Sequence, residues 1–402
     1  MSFQKRTSCR LCGCELNVFF TFPDKIPLAG GFLKTYDQKE EYYPLSICVC
    51  PQCCLVQCRE VISSAVLFHN EYFYRSSMIP ALCKHFDRLA QVLVKRFPPP
   101  RTVVEIGCND GVLLTRLRKL GYRVIGVDPA SQLLEPLQKE GYSVYPDFFN
   151  TEVAERIVKE HGQVDLFLSS NSFAHIDDMS EILQAMRLVM KPNATAVIEV
   201  HYSKRIFDEH QFDFLYHEHM SYYTATSLKY LVEKKLHMCL HDLELIPLHG
   251  TSMRAFIANH SLHGESEAVT ALLQEEHDIE RYLYRDFSLY VESWKTQLQL
   301  LFTNLQNGAD PLVFYGYGAS GRANTLCALF PFPITAVIDD AASKIGCFMP
   351  KSRWPIFSSQ HLYAKPPDYI VVLAWPYAES IMKKHANFKG KFIIPLPEPR
   401  IV

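Results

Sequence analysis

Two Cys-x-x-Cys pairs near the start of the chain are the clearest candidates for a metal site. Cys9 and Cys12 form the first pair, Cys50 and Cys53 form the second, and eight of the thirteen cysteines fall within the first 58 residues. Two such pairs supply the four thiolates of a tetrahedral structural Zn²⁺ site. Because four thiolates leave no open position for water, we predict a zinc ion that stabilises the fold and takes no part in catalysis.

Neighbouring cysteines offer other ligand sets. Cys14, Cys48, Cys54 and Cys58 lie beside the four preferred residues and could replace one of them. We favour the second pair, Cys50 and Cys53, because its spacing repeats that of the first pair. The alternative is that the cysteines stay reduced and pack as small apolar side chains.

A second group of reactive residue types lies in the middle of the chain. Tyr216, Glu218 and His219 fall within four residues, and His175 follows an apolar segment earlier in the chain. Histidine and glutamate can act as general bases near neutral pH, and hydrogen-bond donors can stabilise a developing oxyanion. Together these residues could remove a proton from a carbon beside a carbonyl group and hold the resulting enolate.

The apolar runs of the chain predict the sheet that positions these residues. Residues 102–107 form a β-branched run that ends in glycine, and residues 122–129 form a second run that ends near Asp128. Residues 164–169 and 194–200 have the same character. Because helical segments alternate with these runs, we predict an α/β fold with an open, doubly wound sheet. Ligands bind such sheets at the carboxyl ends of the strands.

The turn after the first strand indicates the cofactor. Glu105 precedes a turn that runs from Gly107 to Gly111, and a nicotinamide enzyme would instead show G-x-G-x-x-G. The pattern E-x-G-x-x-x-G, followed by an acid at the end of the next strand, is typical of class I methyltransferases that use S-adenosylmethionine (SAM). Asp128 could bond the two hydroxyls of an adenosyl ribose. We therefore predict SAM as the cofactor.

The order of three motifs makes the resemblance more specific. Residues 105–111, 171–176 and 216–219 follow one another behind the cysteine pairs. This arrangement resembles that of the sugar C-methyltransferases, which methylate a ring carbon of nucleotide-activated keto-deoxysugars. The resemblance covers essentially the whole chain.

The resemblance implies an organisation in three parts. We expect a zinc-binding lobe at residues 1–75, a class I methyltransferase domain with a Rossmann-like sheet at 76–262, and a second Rossmann-like domain that holds the nucleotide sugar at 263–402.

The resemblance also implies roles for the site residues. The Y-x-E-H motif of the family belongs to the sugar site, so we expect His219 to be the base and Glu218 to orient it or hold a sugar hydroxyl, beside Tyr216. We expect His175 to polarise the keto oxygen. A tyrosine from the N-terminal lobe enters the family's pocket, and we favour Tyr74 over Tyr72. The residues expected around SAM are Glu105, Gly107, Cys108, Asn109, Gly111, Asp128 and Asn171.

Two further segments leave alternatives open. Residues 249–254 read H-G-T-S-M-R where the family often has H-G-G-S, and Arg254 or the backbone there could meet the sugar or its phosphates, unless the segment is a plain hairpin turn. A glycine turn from Gly316 to Gly321, with Asp339 at the end of the next strand, could contact phosphate, serve packing alone or bind a second dinucleotide.

Composition narrows the class of protein. The formal net charge of −2 argues against a protein that binds nucleic acid by neutralising phosphates. The sequence has no apolar run long enough to span a membrane, and its first residues lack the apolar core of a signal peptide. We therefore expect a cytoplasmic protein without a membrane partner. A monomer is favoured over an oligomer.

We predict a SAM-dependent C-methyltransferase of deoxysugar biosynthesis. It would methylate a ring carbon, C3 in preference to C5, of a nucleotide-linked 4-keto-6-deoxyhexose through a base-generated enolate. One alternative is a SAM-dependent methyltransferase that acts on oxygen or on another acceptor. Further alternatives are an NAD-dependent nucleotide-sugar oxidoreductase or epimerase and a zinc scaffold without catalysis.

Overall fold

The chain is an α/β protein whose described residues form four β-sheets, which confirms the predicted fold class. The computed structural model describes residues 3–67, 75–248, 250–259, 264–276, 286–308 and 310–402. Tyr72 and Tyr74, the two candidates for the pocket tyrosine, lie outside these ranges, as does His249.

Short antiparallel strands make up the N-terminal lobe around the cysteine pairs. Its elements are β1 Phe3–Lys5, β2 Asn17–Thr21, β3 Ser46–Val49, β4 Val56–Cys58, β5 Glu60–Ile62 and helix α1 Ser64–Leu67. Strand β1 pairs with β5, whereas β2, β3 and β4 form a separate sheet. The fourth strand of that sheet comes from the middle of the chain, because β11, Ser221–Tyr222, pairs with β4. The lobe is therefore completed by residues that closely follow the 216–219 segment.

A seven-stranded sheet forms the centre of the second part. Its strands are β6 Thr102–Ile106, β7 Arg123–Val127, β8 Ser143–Tyr145, β9 Val164–Ser170, β10 Met190–His201, β12 Cys239–Ile246 and β13 Ser252–Ala258. The order is β12-β13-β10-β9-β6-β7-β8. The strands from β10 to β8 are parallel, and β13 is antiparallel to both of its neighbours. All four strands predicted for this region are present.

Helices pack on both faces of this sheet and account for its apolar strands. The α-helices are α2 Pro80–Arg96, α3 Val112–Lys119, α4 Ser131–Lys139, α5 Thr151–His161, α6 Met179–Val189, α7 Ser203–Asp208, α8 Ala225–Tyr230 and α9 Glu267–Glu275. Single 3₁₀ turns lie at Ser76–Met78, Phe173–His175 and Phe212–Phe214, and a π-helical turn lies at Leu231–Leu236. Val104 and Ile106 of β6 belong to one apolar core, and Val103 belongs to a second core. A strand buried on both faces needs apolar residues at successive positions.

The third part contains a six-stranded sheet. Its elements are α10 Phe287–Gln306, β14 Phe314–Tyr317, α11 Gly321–Leu329, β15 Ala336–Ile338, β16 Ile356–Phe357, α12 Ser359–Ala364, β17 Tyr369–Val372, a 3₁₀ turn Trp375–Tyr377, α13 Ala378–Lys384, β18 Lys391–Ile394 and β19 Arg400–Ile401. The order is β16-β15-β14-β17-β18-β19, and only the pair β18–β19 is antiparallel.

Helix α9 falls within the range predicted for the third part but packs against the second. Its residues Val269 and Leu272 belong to the core of the seven-stranded sheet. Glu276, which follows the helix, accepts hydrogen bonds from the amides of Ala225 and Thr226 at 2.7 and 2.8 Å. Helix α9 and Glu276 therefore pack with the second part of the protein.

Helix α10 joins the three parts through one apolar stripe. The stripe consists of Phe287, Val291, Trp294, Leu298 and Phe302, all buried and spaced three or four residues apart. The Trp294 ring packs against Phe212 of the second part with centroids 4.7 Å apart. Its indole N–H donates to the carbonyl of Pro395 in the third part at 2.7 Å.

We predict that Trp294→Ala lowers the free energy of unfolding by about 3–5 kcal/mol, because it removes a buried ring and leaves the Pro395 carbonyl without its hydrogen-bond donor. Denaturant unfolding followed by circular dichroism measures this change. Leu300→Ala on the same helix is the control, since Leu300 is 59% exposed, and its effect should stay within about 0.5 kcal/mol. Equal effects of the two variants would contradict the role given to the stripe.

Candidate active site

The thiols of the two cysteine pairs converge on one point. The Sγ atoms of Cys9, Cys12, Cys50 and Cys53 lie within 4.8 Å of one another. Cys9 and Cys53 have their sulfurs 3.5 Å apart, and Cys12 and Cys50 have theirs 3.3 Å apart. Two sulfurs on one tetrahedral zinc ion lie about 3.8 Å apart for Zn–S bonds of about 2.3 Å. The preferred ligand set therefore fits Zn²⁺.

The zinc lobe also holds the two loops that carry the candidate catalytic histidines. The thiol of Cys58, at the end of β4, donates to the carbonyl of His219 at 3.2 Å. Arg10, within the first cysteine pair, donates through Nε to Asp177 at 2.8 Å, two residues after His175. Cys58 and Arg10 thus connect the zinc lobe to the two loops that carry the candidate histidines.

The turn after β6 has the geometry of a cofactor-binding loop. Gly107 has φ of +66°, and a Cβ atom there would lie 1.9 Å from Ser172 Oγ, so only glycine allows the loop after β9 to come this close. Asp128, after β7, accepts from the amides of Asn109 and Ala130 at 2.8 and 2.9 Å. The strand-end acid therefore fixes the turn.

Ser76 and Ser77, which closely follow the predicted pocket tyrosine Tyr74, lie across this turn. The amide of Ser76 donates to Asn109 Oδ1 at 2.9 Å, and the hydroxyl of Ser77 donates to Asp110 at 2.5 Å. Gly111, with φ of +73°, closes the turn against the side chain of Leu137. The segment that leaves the zinc lobe is thereby anchored beside the cofactor turn.

The Cys108 side chain corrects one expectation about the cofactor pocket. Cys108 is 4% exposed, and its sulfur packs against Gly126 of β7 in the apolar core that contains Leu113 and Leu114. Burial raises the pKa of this thiol well above its usual range. The thiol behaves as a small apolar side chain, so only the backbone of Cys108 faces the turn.

Buried polar atoms around this turn test whether SAM fits the site. Glu105 Oε2, Asn171 Oδ1 and both polar side-chain atoms of Gln132 have no hydrogen-bond partner among the described residues. Burial, with the nearby charges of Asp128 and Glu199, raises the pKa of Glu105 well above its usual range. A ligand with hydroxyl donors and positive charge would satisfy these acceptors and stabilise the carboxylates. SAM has ribose hydroxyls, an ammonium group and a sulfonium, so the residues fit it.

Gln132 is a candidate cofactor residue that the sequence analysis missed. It lies in the first turn of α4, directly after the loop that carries Asp128. Helix periodicity alone makes it a surface residue, and only its buried amide distinguishes it.

Three histidine rings and a tyrosine gather at the carboxyl ends of β9 and β10. The ring centroids of His175 and His219 are 5.1 Å apart, and those of His201 and His219 are 4.4 Å apart. The hydroxyl of Tyr216 lies 3.0 Å from His219 Nε2. The structure therefore brings together the predicted residues Tyr216, His175 and His219, and it adds His201 from the end of β10.

A backbone carbonyl determines which nitrogen of His219 carries the proton. His219 Nδ1 lies 3.4 Å from the carbonyl oxygen of Phe214, which can only accept. The neutral ring is therefore protonated at Nδ1, and its Nε2 accepts from the Tyr216 hydroxyl. Tyr216 and His219 form a dyad in which a proton taken up by the tyrosine oxygen can pass to the imidazole.

His175 has the same tautomer, which bears on its expected role in polarising the keto oxygen. Its Nδ1 donates to the carbonyl of Glu218 at 2.6 Å, so the neutral ring has an acceptor at Nε2. Burial lowers the pKa of His175 to about 4, although the hydrogen bond to Glu218 opposes this. Polarising a keto oxygen would need a proton on Nε2, which the neutral ring does not carry. His175 is therefore placed as a hydrogen-bond acceptor.

Glu218 is the group in this segment that can act as an acid near neutral pH. Burial raises its pKa to about 7, and the hydrogen bond from the Gly30 amide, 3.1 Å from Oε1, opposes the rise. Below that pH the carboxyl carries a proton that it can donate. His217, in contrast, donates through Nε2 to the carbonyl of Pro44 at 3.0 Å and is a packing residue.

Arg254 is a second correction, because it is buried in the sheet and does not face the sugar site. Only 3% exposed, it binds Glu199 through Nε at 2.6 Å and Glu244 through a terminal nitrogen at 2.8 Å. Glu199 also contacts His85 of α2 at 2.7 Å. Arg254 thus balances the charge of Glu199, and with both acids in contact it is not available for a phosphate or an enolate.

The second glycine turn is covered by other parts of the protein. Gly318, with φ of +98°, packs against Ala374, and a Cβ atom on Gly321 would lie 2.9 Å from that of Ala29 in the N-terminal lobe. The Asp339 carboxylate accepts hydrogen bonds from the backbone amides of Ala319 and Ala341, at 2.7 and 2.8 Å. These contacts favour the packing interpretation of the turn over a second dinucleotide site.

Comparisons with known proteins match three successive ranges of the chain. Residues 9–68 match the family model "Putative zinc binding domain", residues 74–235 match "Methyltransferase domain", and residues 247–397 match "C-methyltransferase C-terminal domain". The C-methyltransferase NovU of Streptomyces niveus is 33% identical over 98% of this chain and 96% of its own length. The chain belongs to this C-methyltransferase family. It is a SAM-dependent methyltransferase with a zinc-binding N-terminal domain.

Other similarities are more limited. A ubiquinone biosynthesis O-methyltransferase of Bradyrhizobium diazoefficiens is 29% identical over 29% of this chain and 46% of its own length. The solved structure of a 1,6-didemethyltoxoflavin N1-methyltransferase from Burkholderia thailandensis is 16% identical and covers 43% of this chain and 77% of that one, with a TM-score of 0.33. In the described part of the chain, no helix combines the length and the apolar character needed to cross a membrane.

We predict that Cys53→Ser removes the zinc and also abolishes methyl transfer, because the lobe holds the loops of His175 and His219. The melting temperature should fall, and turnover should drop by about 100-fold or more, as expected for reacting groups misplaced by about 1 Å. Metal analysis, thermal unfolding and SAM turnover measure these effects. Cys14→Ser is the matched control and should keep one zinc ion per chain. Loss of zinc in that control would overturn the ligand set.

Proposed function

We propose that the protein methylates a ring carbon of a nucleotide-linked 4-keto-6-deoxyhexose, at C3 in preference to C5. The observation that carries this proposal is the Tyr216–His219 dyad beside His175 at the cofactor edge of the sheet. A carbon acid must lose a proton before it can attack a methyl group, and neutral imidazoles are suited to removing it. The similarity to a C-methyltransferase over nearly the whole chain supports the same reaction.

The dyad acts as the base. His219 Nε2 accepts the Tyr216 proton as the tyrosine oxygen takes the proton from the carbon next to the ketone, so the proton resides on the imidazole. The Phe214 carbonyl, which accepts from Nδ1, stabilises the imidazolium that forms. SAM supplies the electrophilic methyl group and leaves as S-adenosylhomocysteine, so that a C–C bond replaces the S–C bond.

Glu218 holds an oxygen of the sugar. With a pKa near 7 it carries a proton in neutral and mildly acidic solution, and it then donates to the keto oxygen as that oxygen gains charge. This is the role first expected of His175. Because an imidazole acceptor at His175 Nε2 can bind a sugar hydroxyl, we assign that residue to orientation of the ring. Tyr74 remains our candidate for a further pocket tyrosine.

The nucleotide would extend from Glu218 towards the third part of the protein. The loop at Ala29 and Gly30 contacts Glu218 on one side, and on the other its Ala29 carbonyl accepts from Asn324 of α11 at 2.6 Å. Lys344, beyond this loop, is not a free cation, because its ammonium donates to the Ala319 carbonyl and lies 3.9 Å from the Asp339 carboxylate. We propose this end for the nucleotide because the loop at Ala29 and Gly30 connects Glu218 to the third part of the protein.

Incubation of the enzyme in D₂O with labelled SAM and a panel of keto-sugar nucleotides tests the reaction. We expect the label on a ring carbon, located by NMR, and deuterium at the same carbon in substrate that is recovered before methylation. His219→Asn should lower turnover by about 10²- to 10⁴-fold and leave binding of S-adenosylhomocysteine unchanged by calorimetry. Label found on oxygen, or near-normal turnover of His219→Asn, would refute the proposal.

The rate should depend on the ionisation of Glu218. Because protonated Glu218 is the donor, we expect kcat/KM to fall as the pH rises through about 7, the pKa that burial gives this group. Glu218→Gln keeps a donor without a proton to lose, so its profile should lack this descending limb. The measurement is kcat/KM from pH 5.5 to 9, with Glu233→Gln as a surface control. A descending limb that persists in Glu218→Gln would exclude Glu218 as its source.

A further inference from the structure

One buried carboxylate connects the third part of the protein to the methyltransferase domain. Asp213 is fully buried. Arg322 contacts both of its oxygens, through Nε at 2.8 Å and a terminal nitrogen at 2.9 Å. The indole N–H of Trp375 donates to the same carboxylate at 2.9 Å. Two parallel N–H···O bonds from one guanidinium fix the direction of a carboxylate as well as its position.

Arg322 and Trp375 lie where Rossmann-like sheets bind their ligands. Arg322 follows the glycine turn after β14, and Trp375 follows β17, the neighbouring strand. The chain continues from β14 to β15 on one side of this pair and from β17 to β18 on the other. Such a change of direction opens a crevice at the carboxyl ends of the two strands. Here the carboxylate of Asp213 is the group bound at this edge.

Asp213 is adjacent to the residue that orients His219. Phe214 follows it in the same 3₁₀ turn, and the Phe214 carbonyl accepts from His219 Nδ1 at 3.4 Å and from the Tyr222 hydroxyl at 3.2 Å. The Phe214 ring lies 4.8 Å from the ring of His219. On its other side, the Arg322 guanidinium lies 4.9 Å from the Phe214 ring. A shift of Asp213 would therefore move the carbonyl that selects the tautomer of His219.

We infer that Arg322 and Trp375 are positioning residues for the base, and that the third part of the protein uses its ligand-binding edge to hold the methyltransferase domain in its active geometry. The inference rests on the proposed role of His219. Arg322 and Trp375 fix Asp213, Asp213 fixes the Phe214 carbonyl, and that carbonyl keeps the proton on Nδ1 of His219. The link from the C-terminal sheet to the base then consists of the Arg322 ion pair and the Trp375 hydrogen bond at Asp213, and of the backbone from Asp213 to the Phe214 carbonyl.

The choice of variants follows from the geometry. Removing the charge of Arg322 would leave the Asp213 carboxylate buried without a counter-charge, and the protein could then lose activity simply by unfolding. Arg322→Lys keeps the charge but cannot form two parallel bonds, and Trp375→Phe removes only the indole N–H. Arg353→Gln is the control. Arg353 also attaches the third part of the protein to the N-terminal lobe, because it donates to the Gln38 carbonyl at 3.2 Å, but it does not contact Asp213.

We expect Arg322→Lys and Trp375→Phe to lower kcat by about 10- to 100-fold, with smaller changes in KM and no change in binding of S-adenosylhomocysteine. Arg353→Gln should keep the activity of the parent enzyme. In ¹⁵N NMR spectra, the parent should show His219 protonated at Nδ1, and Arg322→Lys should show a mixture of tautomers. Unchanged His219 signals in Arg322→Lys would overturn the inference.

Combination with His219→Asn separates positioning from a general loss of structure. If Arg322 acts through His219, Arg322→Lys should cause no further loss of turnover in the His219→Asn background. A full additional loss there would show a role independent of the base and overturn the inference. The NMR measurement needs no substrate, so it tests whether Arg322 positions the His219 ring separately from whether His219 is the base.

Discussion

The antiparallel pairing of β4 with β11 is the contact on which the active site depends. It makes Ser221 and Tyr222 the edge strand of the zinc lobe's sheet, so the preceding residues 216–219 must turn at the junction between the lobe and the methyltransferase domain. The thiol bond from Cys58 to the His219 carbonyl lies in the same junction. A small lobe has little apolar core of its own, so a zinc ion held by four cysteines would stabilise the strands that form this junction.

The same strand-end acid occurs in both Rossmann-like sheets, yet the two turns serve different purposes. Asp128 and Asp339 each accept from an amide of the glycine turn and from the amide two residues after themselves. Around the first turn, buried acceptors such as Asn171 Oδ1 lack partners among the described residues. The second turn is packed against Ala29, and its edge binds a carboxylate of the same chain. The surroundings of the two turns therefore differ, as do their sequences, which read E-x-G-x-x-x-G in the first and G-x-G-x-S-G in the second.

Local sequence was sufficient for the parts of the structure that local physics controls. The strands β6, β7, β9 and β10 follow from apolar runs, and the cluster of Cys9, Cys12, Cys50 and Cys53 follows from their spacing. Prediction failed where distant residues meet. Nothing in the sequence near Arg254 shows that Glu199 and Glu244 surround it, and nothing near Cys108 shows that its thiol turns into the core. Asp213, Gln132 and His201 were missed for the same reason, since each is distinguished only by its neighbours in space.

Burial has opposite effects on the protonation of His175 and Glu218. His175 keeps a neutral ring because desolvation outweighs the hydrogen bond to the Glu218 carbonyl, whereas desolvation of Glu218 favours its protonated form. The same low polarity therefore produces a proton acceptor and a proton donor side by side. A more open pocket would weaken both effects, because the pKa of each group would return towards its usual value and Glu218 would be ionised at neutral pH. The enclosure of residues 216–219 between the lobe and the sheet is thus a condition of the chemistry as well as of the fold.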